Sequence, residues 1–173
     1  MNINQVTTAI KVCDFTLATN KKGWLDCDWT IKDKSVLKDP SGRVYLLVID
    51  GDIMKIGGSA DKGGIKRTLT TYASGNCGRP SIRTYGICKL MKDALENNSK
   101  VECYMITSER VVASVKGLFG NDNVLVAAYK EMESKCVEDF VKTEGCLPSW
   151  NFQEAGIAWD KTIQESHAKI MMK

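Results

Sequence analysis

The stretch Val44-Tyr45-Leu46-Leu47-Val48-Ile49-Asp50-Gly51-Asp52-Ile53-Met54-Lys55-Ile56-Gly57-Gly58-Ser59 decides the fold. Two short apolar runs joined by Asp50-Gly51 read as a β-hairpin, because Asp-Gly supplies the positive φ angles that a tight turn demands. Tyr45 opens the first strand, and Lys55 lies in the second, just before the Gly-Gly-Ser break. On a parity count Tyr45 and Lys55 share one face of the hairpin. A cation beside a phenol stabilises the phenolate and lowers a pKa that is about 10 when unperturbed, which makes a strand tyrosine a candidate general base. A helix-like segment carrying Arg67 follows closely, and its two-pronged guanidinium suits a phosphate. Together these groups are equipment for a phosphodiester.

Outward from the hairpin, 10–15 and 24–31 each alternate polar and apolar residues and predict short strands, with a turn at Lys21-Lys22-Gly23. Asp39-Pro40-Ser41-Gly42 is a turn signal ahead of the hairpin strands at 43–50 and 52–57. A helix is expected over about 65–73, ended by Ser74-Gly75-Asn76, then a helical stripe within 81–97 and a third strand over 101–106. The segment 110–123 reads as a short helix followed by a Gly-rich loop. A long helix is expected from about 125 to 143, stopping at Gly145 with Pro148 beyond, and a weaker one over 158–170. This order predicts an α+β fold, a small antiparallel β-sheet flanked by helices. The expected organisation is an accessory segment at 1–40, a core at 41–153 and a helical tail at 154–173.

The 173 residues suffice for one domain with a sizeable core, and 43% hydrophobic and 26% charged residues exclude wholesale disorder. A net charge of +3 and a pI near 8.4 are compatible with nucleic-acid binding without demanding it. No apolar run approaches a membrane span and the N-terminus lacks a signal-peptide pattern, so a soluble, cytoplasmic protein is expected. The seven cysteines are odd in number and none forms a C-x-x-C pair, which argues against structural zinc and for buried thiols in a reducing compartment. The single histidine, His167, lies in the tail, which disfavours serine–histidine hydrolases and histidine-metal sites.

On the long helix Glu131, Glu133, Glu138, Asp139 and Glu144 are acidic. With Val126, Ala127, Met132, Val137, Phe140 and Val141 facing the core, Glu138 borders the apolar stripe, a natural place for a carboxylate to hold a divalent cation against a small sheet. Lys62, Lys66, Arg67, Arg79, Arg83, Lys89 and Lys92 cluster with Tyr72 and Tyr85 where acids are all but absent, a candidate phosphate-tracking surface. Gly57-Gly58-Ser59 and Gly63-Gly64 are candidate phosphate cradles, although their spacing is not that of a P-loop.

Taken in order, these residues resemble the GIY-YIG nuclease superfamily. Tyr45 matches its first tyrosine, and Lys55-Ile56-Gly57 its "YIG" with lysine for tyrosine, as in one restriction-endonuclease branch. Arg67 matches the helix arginine, Glu138 the metal-binding glutamate, and Leu147-Pro148-Ser149-Trp150-Asn151 the closing motif with its asparagine. The 99–104 stretch and the Pro-Ser-Trp-Asn-Phe-Gln ending are similar to the small coliphage endonuclease II type. The resemblance covers about 43–152. It implies a Mg²⁺- or Mn²⁺-dependent endonuclease on double-stranded DNA. Glu138 would then bind the metal, Tyr45 acidified by Lys55 would serve as base, Arg67 would clamp the phosphate, and Asn151 would orient the Glu138 end of the site. A homo-oligomer is expected, because cutting both strands needs two sites. Two departures stand out: Gly58 replaces a histidine of the restriction branch, and Thr71, not a tyrosine, lies four residues after Arg67. Tyr72 lies five residues after it, about 140° away around a helix. These departures keep open a DNA-binding module that has lost cutting, and the glycine turns keep open a small-phosphate-binding protein.

Overall fold

The computed structural model describes residues 1–19, 23–126 and 128–172; the turn expected at Lys21-Lys22 and the core position Ala127 lie outside these. Five antiparallel strands form the main sheet: β1 (Ile10–Leu17), β2 (Leu25–Trp29), β3 (Arg43–Ile49), β4 (Asp52–Ser59) and β5 (Val101–Thr107), in the order β2-β1-β5-β3-β4. β1 hydrogen-bonds to β5, so the first forty residues contribute two strands to the same sheet as the hairpin. The helices are α1 (Lys34–Lys38), α2 (Gly64–Ala73), α3 (Ile82–Glu96), α4 (Tyr129–Glu144) and α5 (Lys161–Met171). None is long and apolar enough to cross a membrane.

β3 runs through the middle of the core, and six of its seven residues are buried. Alternate side chains serve two layers, as the period of a strand requires. Tyr45 and Leu47 pack with Ile65 and Leu69 of α2 and Ile87 and Met91 of α3. Val44, Leu46 and Val48 pack with Ile53, Ile56 and Phe140 of α4. Each fully buried aliphatic side chain contributes roughly 1.5–3 kcal/mol before entropy is charged against it.

The turn is the tight one its sequence demands, with φ of 50° at Asp50 and 91° at Gly51. Lys55 reaches the Tyr45 face by a route that a simple parity count does not provide. Across the turn Ile49 faces Asp52 and Val48 faces Ile53, so an unbroken ladder would set Lys55 opposite Leu46, on the face away from Tyr45. The ladder instead skips Met54: Leu47 faces Lys55 and Tyr45 faces Gly57. This β-bulge, not the turn, brings Lys55 to the Tyr45 face. The outward-turned carbonyl of Met54 accepts the Trp150 N–H at 2.8 Å.

The segment expected as a short helix and loop is a second hairpin, β6 (Val111–Gly117) with β7 (Gly120–Val126). The β-branched run at Val111, Val112 and Val115 favours strand. Its tip residues Leu118 and Phe119 are exposed. Because residues through Val126 pair in β7, α4 starts at Tyr129 and not near 125.

Candidate active site at the sheet edge

β4 is an edge strand, and its edge is covered only in part. Trp150 reaches Met54, and then the Asn151 side chain behaves like one more strand residue: its Oδ1 accepts from the Ile56 N–H at 3.0 Å while its Nδ2 donates to the Ile56 carbonyl at 3.0 Å. Asn151 is 1% exposed, and both of these amide bonds go to the Ile56 backbone. The cover lies directly before Gly57-Gly58-Ser59.

At those two glycines, side chains from both faces of the sheet converge. A Cβ at Gly57 would overlap the Tyr45 Cζ and phenol oxygen, and one at Gly58 would overlap Oε2 of Glu133 and the ring of Tyr129. Only glycine lets a phenol from the α2/α3 side and a carboxylate from α4 approach the strand so closely. The Tyr45 hydroxyl is 2.7 Å from that of Tyr72, with the rings 5.9 Å apart. Arg83 of α3 stands beside Tyr72 and donates from Nη1 to Gln153 Oε1 at 3.2 Å. Two open cavities meet here, sharing Gly58 and Arg83. One, of about 700 Å³, is lined by Tyr129, Glu133 and Glu154; the other, of about 320 Å³, by Tyr45, Tyr72 and Thr68.

The electrostatics differ from the sequence expectation. Burial first, then Tyr72, pushes the Tyr45 phenol well above its ordinary value; the cation opposing the rise is Arg83, not Lys55. Burial opposes the charge on Arg83, but Tyr72, Tyr45 and Glu154 around it hold the guanidinium above its ordinary value. Lys55 is only 2% exposed; burial and then Arg83 bring it down to about 8, against the pull of Glu154 and Glu133.

Lys55 therefore penalises the fold while it is charged. Between pH 8 and 10.5 the unfolded chain holds a proton that the folded chain has shed, so stability rises with pH across that window and the penalty is complete below it. Urea unfolding should show wild type gaining up to about 3 kcal/mol relative to Lys55→Met over this range. Parallel curves would mean that the ammonium is well solvated in the fold.

The structure joins Tyr45, Lys55 and Asn151 at one strand edge but separates two other expected residues from it. The Glu138 side chain is 55% exposed and ion-paired with Lys142 at 2.6 Å, on the outer rim of the larger cavity. Glu133 is the carboxylate against Gly58. It lies four residues before Val137, on the half-buried side of the helix, whereas Glu138 is turned about 100° from Val137. The i, i+4 count back from Val137 was the signal for it. Arg67 is 68% exposed, 3.7 Å from Asp61, on the opposite side of α2 from Tyr72. Four residues before Tyr72 stands Thr68, bonded to the Ser59 hydroxyl at 2.9 Å. Arg83, expected only as a DNA contact, is the guanidinium at the centre. Of the other basic residues, Lys62, Lys66 and Arg79 are exposed, while Lys89 pairs with Asp93 and Lys92 pairs with Glu96 and stacks on Trp24.

No protein-family model and no curated protein matches the chain. Among solved structures, a mutant of bacteriophage T4 EndoII matches with a TM-score of 0.55 at 18% identity, over 87% of this chain and 98% of that one. The chain has the fold of T4 EndoII. Nearly the whole of EndoII is thus spanned, and the expected small antiparallel sheet flanked by helices is borne out. The restriction endonuclease Hpy188I in complex with product DNA matches with a TM-score of 0.48 at 21% identity, over 86% of this chain and 84% of that one.

Proposed function

We propose that the protein is a divalent-metal-dependent endonuclease that hydrolyses phosphodiester bonds in double-stranded DNA. One observation carries the reading: a hydrogen-bonded phenol pair, a guanidinium and a carboxylate converge on the glycine-thinned end of an edge strand, in a groove open to a large substrate. Arg83 binds the scissile phosphate and neutralises charge that builds on its oxygens. Tyr45 orients the attacking water and takes its proton, with Arg83 favouring the phenolate and Tyr72 fixing the position of the oxygen. Asn151 holds the strand edge at Ile56 and keeps Gly57 and Gly58 in line.

The donor set suits a hard cation. Among the described residues no group of three or more His, Cys, Asp or Glu is placed to hold a metal ion, and a site with one or two carboxylates suits Mg²⁺, which keeps several waters and takes phosphate oxygens. Glu133 is the residue that would hold it, with Glu154 lining the same cavity. A metal there supplies charge stabilisation to the phosphate and the leaving oxygen. Cutting both strands calls for two copies of the chain.

Incubating supercoiled plasmid with wild-type protein in Mg²⁺ and in EDTA tests the reading. Nicked or linear products in Mg²⁺ alone are expected, and discrete fragments would show sequence selectivity. Intact plasmid accompanied by a salt-sensitive gel shift would leave only a binding module with this fold.

A further inference from the structure

We propose that the DNA strand carrying the scissile bond continues from the site along a third section of the same groove, where Arg79 and the hydroxyls of Thr71, Ser81 and Thr84 hold flanking backbone phosphates. This rests on the nuclease reading above.

The groove does not end at Tyr72. The cavity lined by Tyr45 and Tyr72 shares Thr71 and Thr84 with a further cavity of about 380 Å³ between the end of α2 and the start of α3. The three sections run end to end, and their charge changes along the way. Glu133, Glu138 and Glu154 line the first and Asp61 the second, but no acid lines the third. From Lys62 to Lys92 the sequence contains no Asp or Glu at all. An acid-free section carrying an arginine attracts a polyanion, whereas three of the four lining carboxylates stand at the far end, where a cation would sit.

The wall chemistry fits phosphate oxygens. Arg79 is exposed at the rim. Ser81 and Thr84 share one hydroxyl–hydroxyl bond of 3.0 Å, which uses one of their two protons and frees the other for a phosphate. Thr71 donates to the Arg67 carbonyl at 2.8 Å and can turn outward by rotating its hydroxyl. The wall is braced from behind: His167 Nε2 lies 2.8 Å from the Pro80 carbonyl oxygen, tying α5 to the loop that carries Arg79. Such contacts position a strand without reading its bases.

The test uses the full-length protein and a short duplex spanning a mapped plasmid cut site, held uncut with Ca²⁺ in place of Mg²⁺. Single methylphosphonates are placed at each phosphate around the cut, and affinity is read by fluorescence anisotropy over a salt series. In wild type, neutralising one or more phosphates on a single side of the cut should weaken binding several-fold beyond the scissile position itself. Arg79→Ala should weaken binding about five- to tenfold, lower the salt slope by about one, and abolish the sensitivity at one of those phosphates. Arg79→Lys should restore most of the affinity, because a point charge suffices for a phosphate. If wild type binds and cuts but Arg79→Ala leaves affinity, salt slope and methylphosphonate pattern unchanged, the track is wrong and the nuclease reading stands. If wild type neither binds nor cuts any DNA, both fall together.

Discussion

Changing Glu133 to glutamine is expected to lower plasmid cleavage in Mg²⁺ by about a thousandfold or more, whereas Glu138→Ala stays within about twofold of wild type. Glutamine keeps the size of the side chain that rests on Gly58 and removes only its charge, so the thermal unfolding midpoint should barely move. Glu138 has its carboxylate largely in solvent, in an i, i+4 pair with Lys142 that water screens. Single-turnover cleavage measured beside a melting curve separates the two residues. An inactive Glu138→Ala with an active Glu133→Gln would return the metal-holding role to Glu138.

Removing the Tyr45 hydroxyl, as in Tyr45→Phe, should lower the cleavage rate by about 10²–10⁴-fold, the range typical of a positioned proton acceptor. The pH dependence sharpens the test. Burial and the Tyr72 hydroxyl hold the phenol well above its ordinary value of 10, so the phenolate is scarce at neutral pH and its fraction grows tenfold per pH unit. The wild-type rate should therefore climb through neutral and mildly alkaline pH without levelling off. In Tyr45→Phe the climb should vanish. In Tyr72→Phe, which takes away one of the groups raising the phenol, the profile should move toward lower pH. A flat wild-type profile together with an active phenylalanine variant would leave Tyr45 as a packing residue.

Much of the fold was legible because its signals are local. Asp50-Gly51 and the apolar runs around it define a hairpin from chemistry within a few residues, and α2, α3 and β5 follow from turn signals and periodicity. The site was harder to read because it depends on phase. The turn between Ser59 and Gly64 sets how α2 is rotated, and that rotation sends Tyr72 inward and Arg67 outward although both fit a helical motif. Likewise the strong β-pattern of 111–126 delays α4, and with it the count that distinguishes Glu133 from Glu138. Arg83 was visible as a basic residue, but its place beside two tyrosines comes from α3 folding back over the strand it follows by more than twenty residues. Asn151 was found by motif, and the two backbone bonds of its side chain at Ile56 carry no sequence signal of their own.

The skipped residue in β4 means that part of the site is written in the backbone and not as a side chain. Met54 pairs with nothing across the ladder, and because the bulge absorbs it, what it adds is its outward carbonyl, which takes the Trp150 N–H. A chain lacking Met54 alone would retain every reactive group, keep Lys55 opposite Leu47 on the Tyr45 face, and lose the carbonyl that anchors Trp150. Substitution scanning leaves this carbonyl in place and is blind to it; a deletion of Met54 is the variant that removes it.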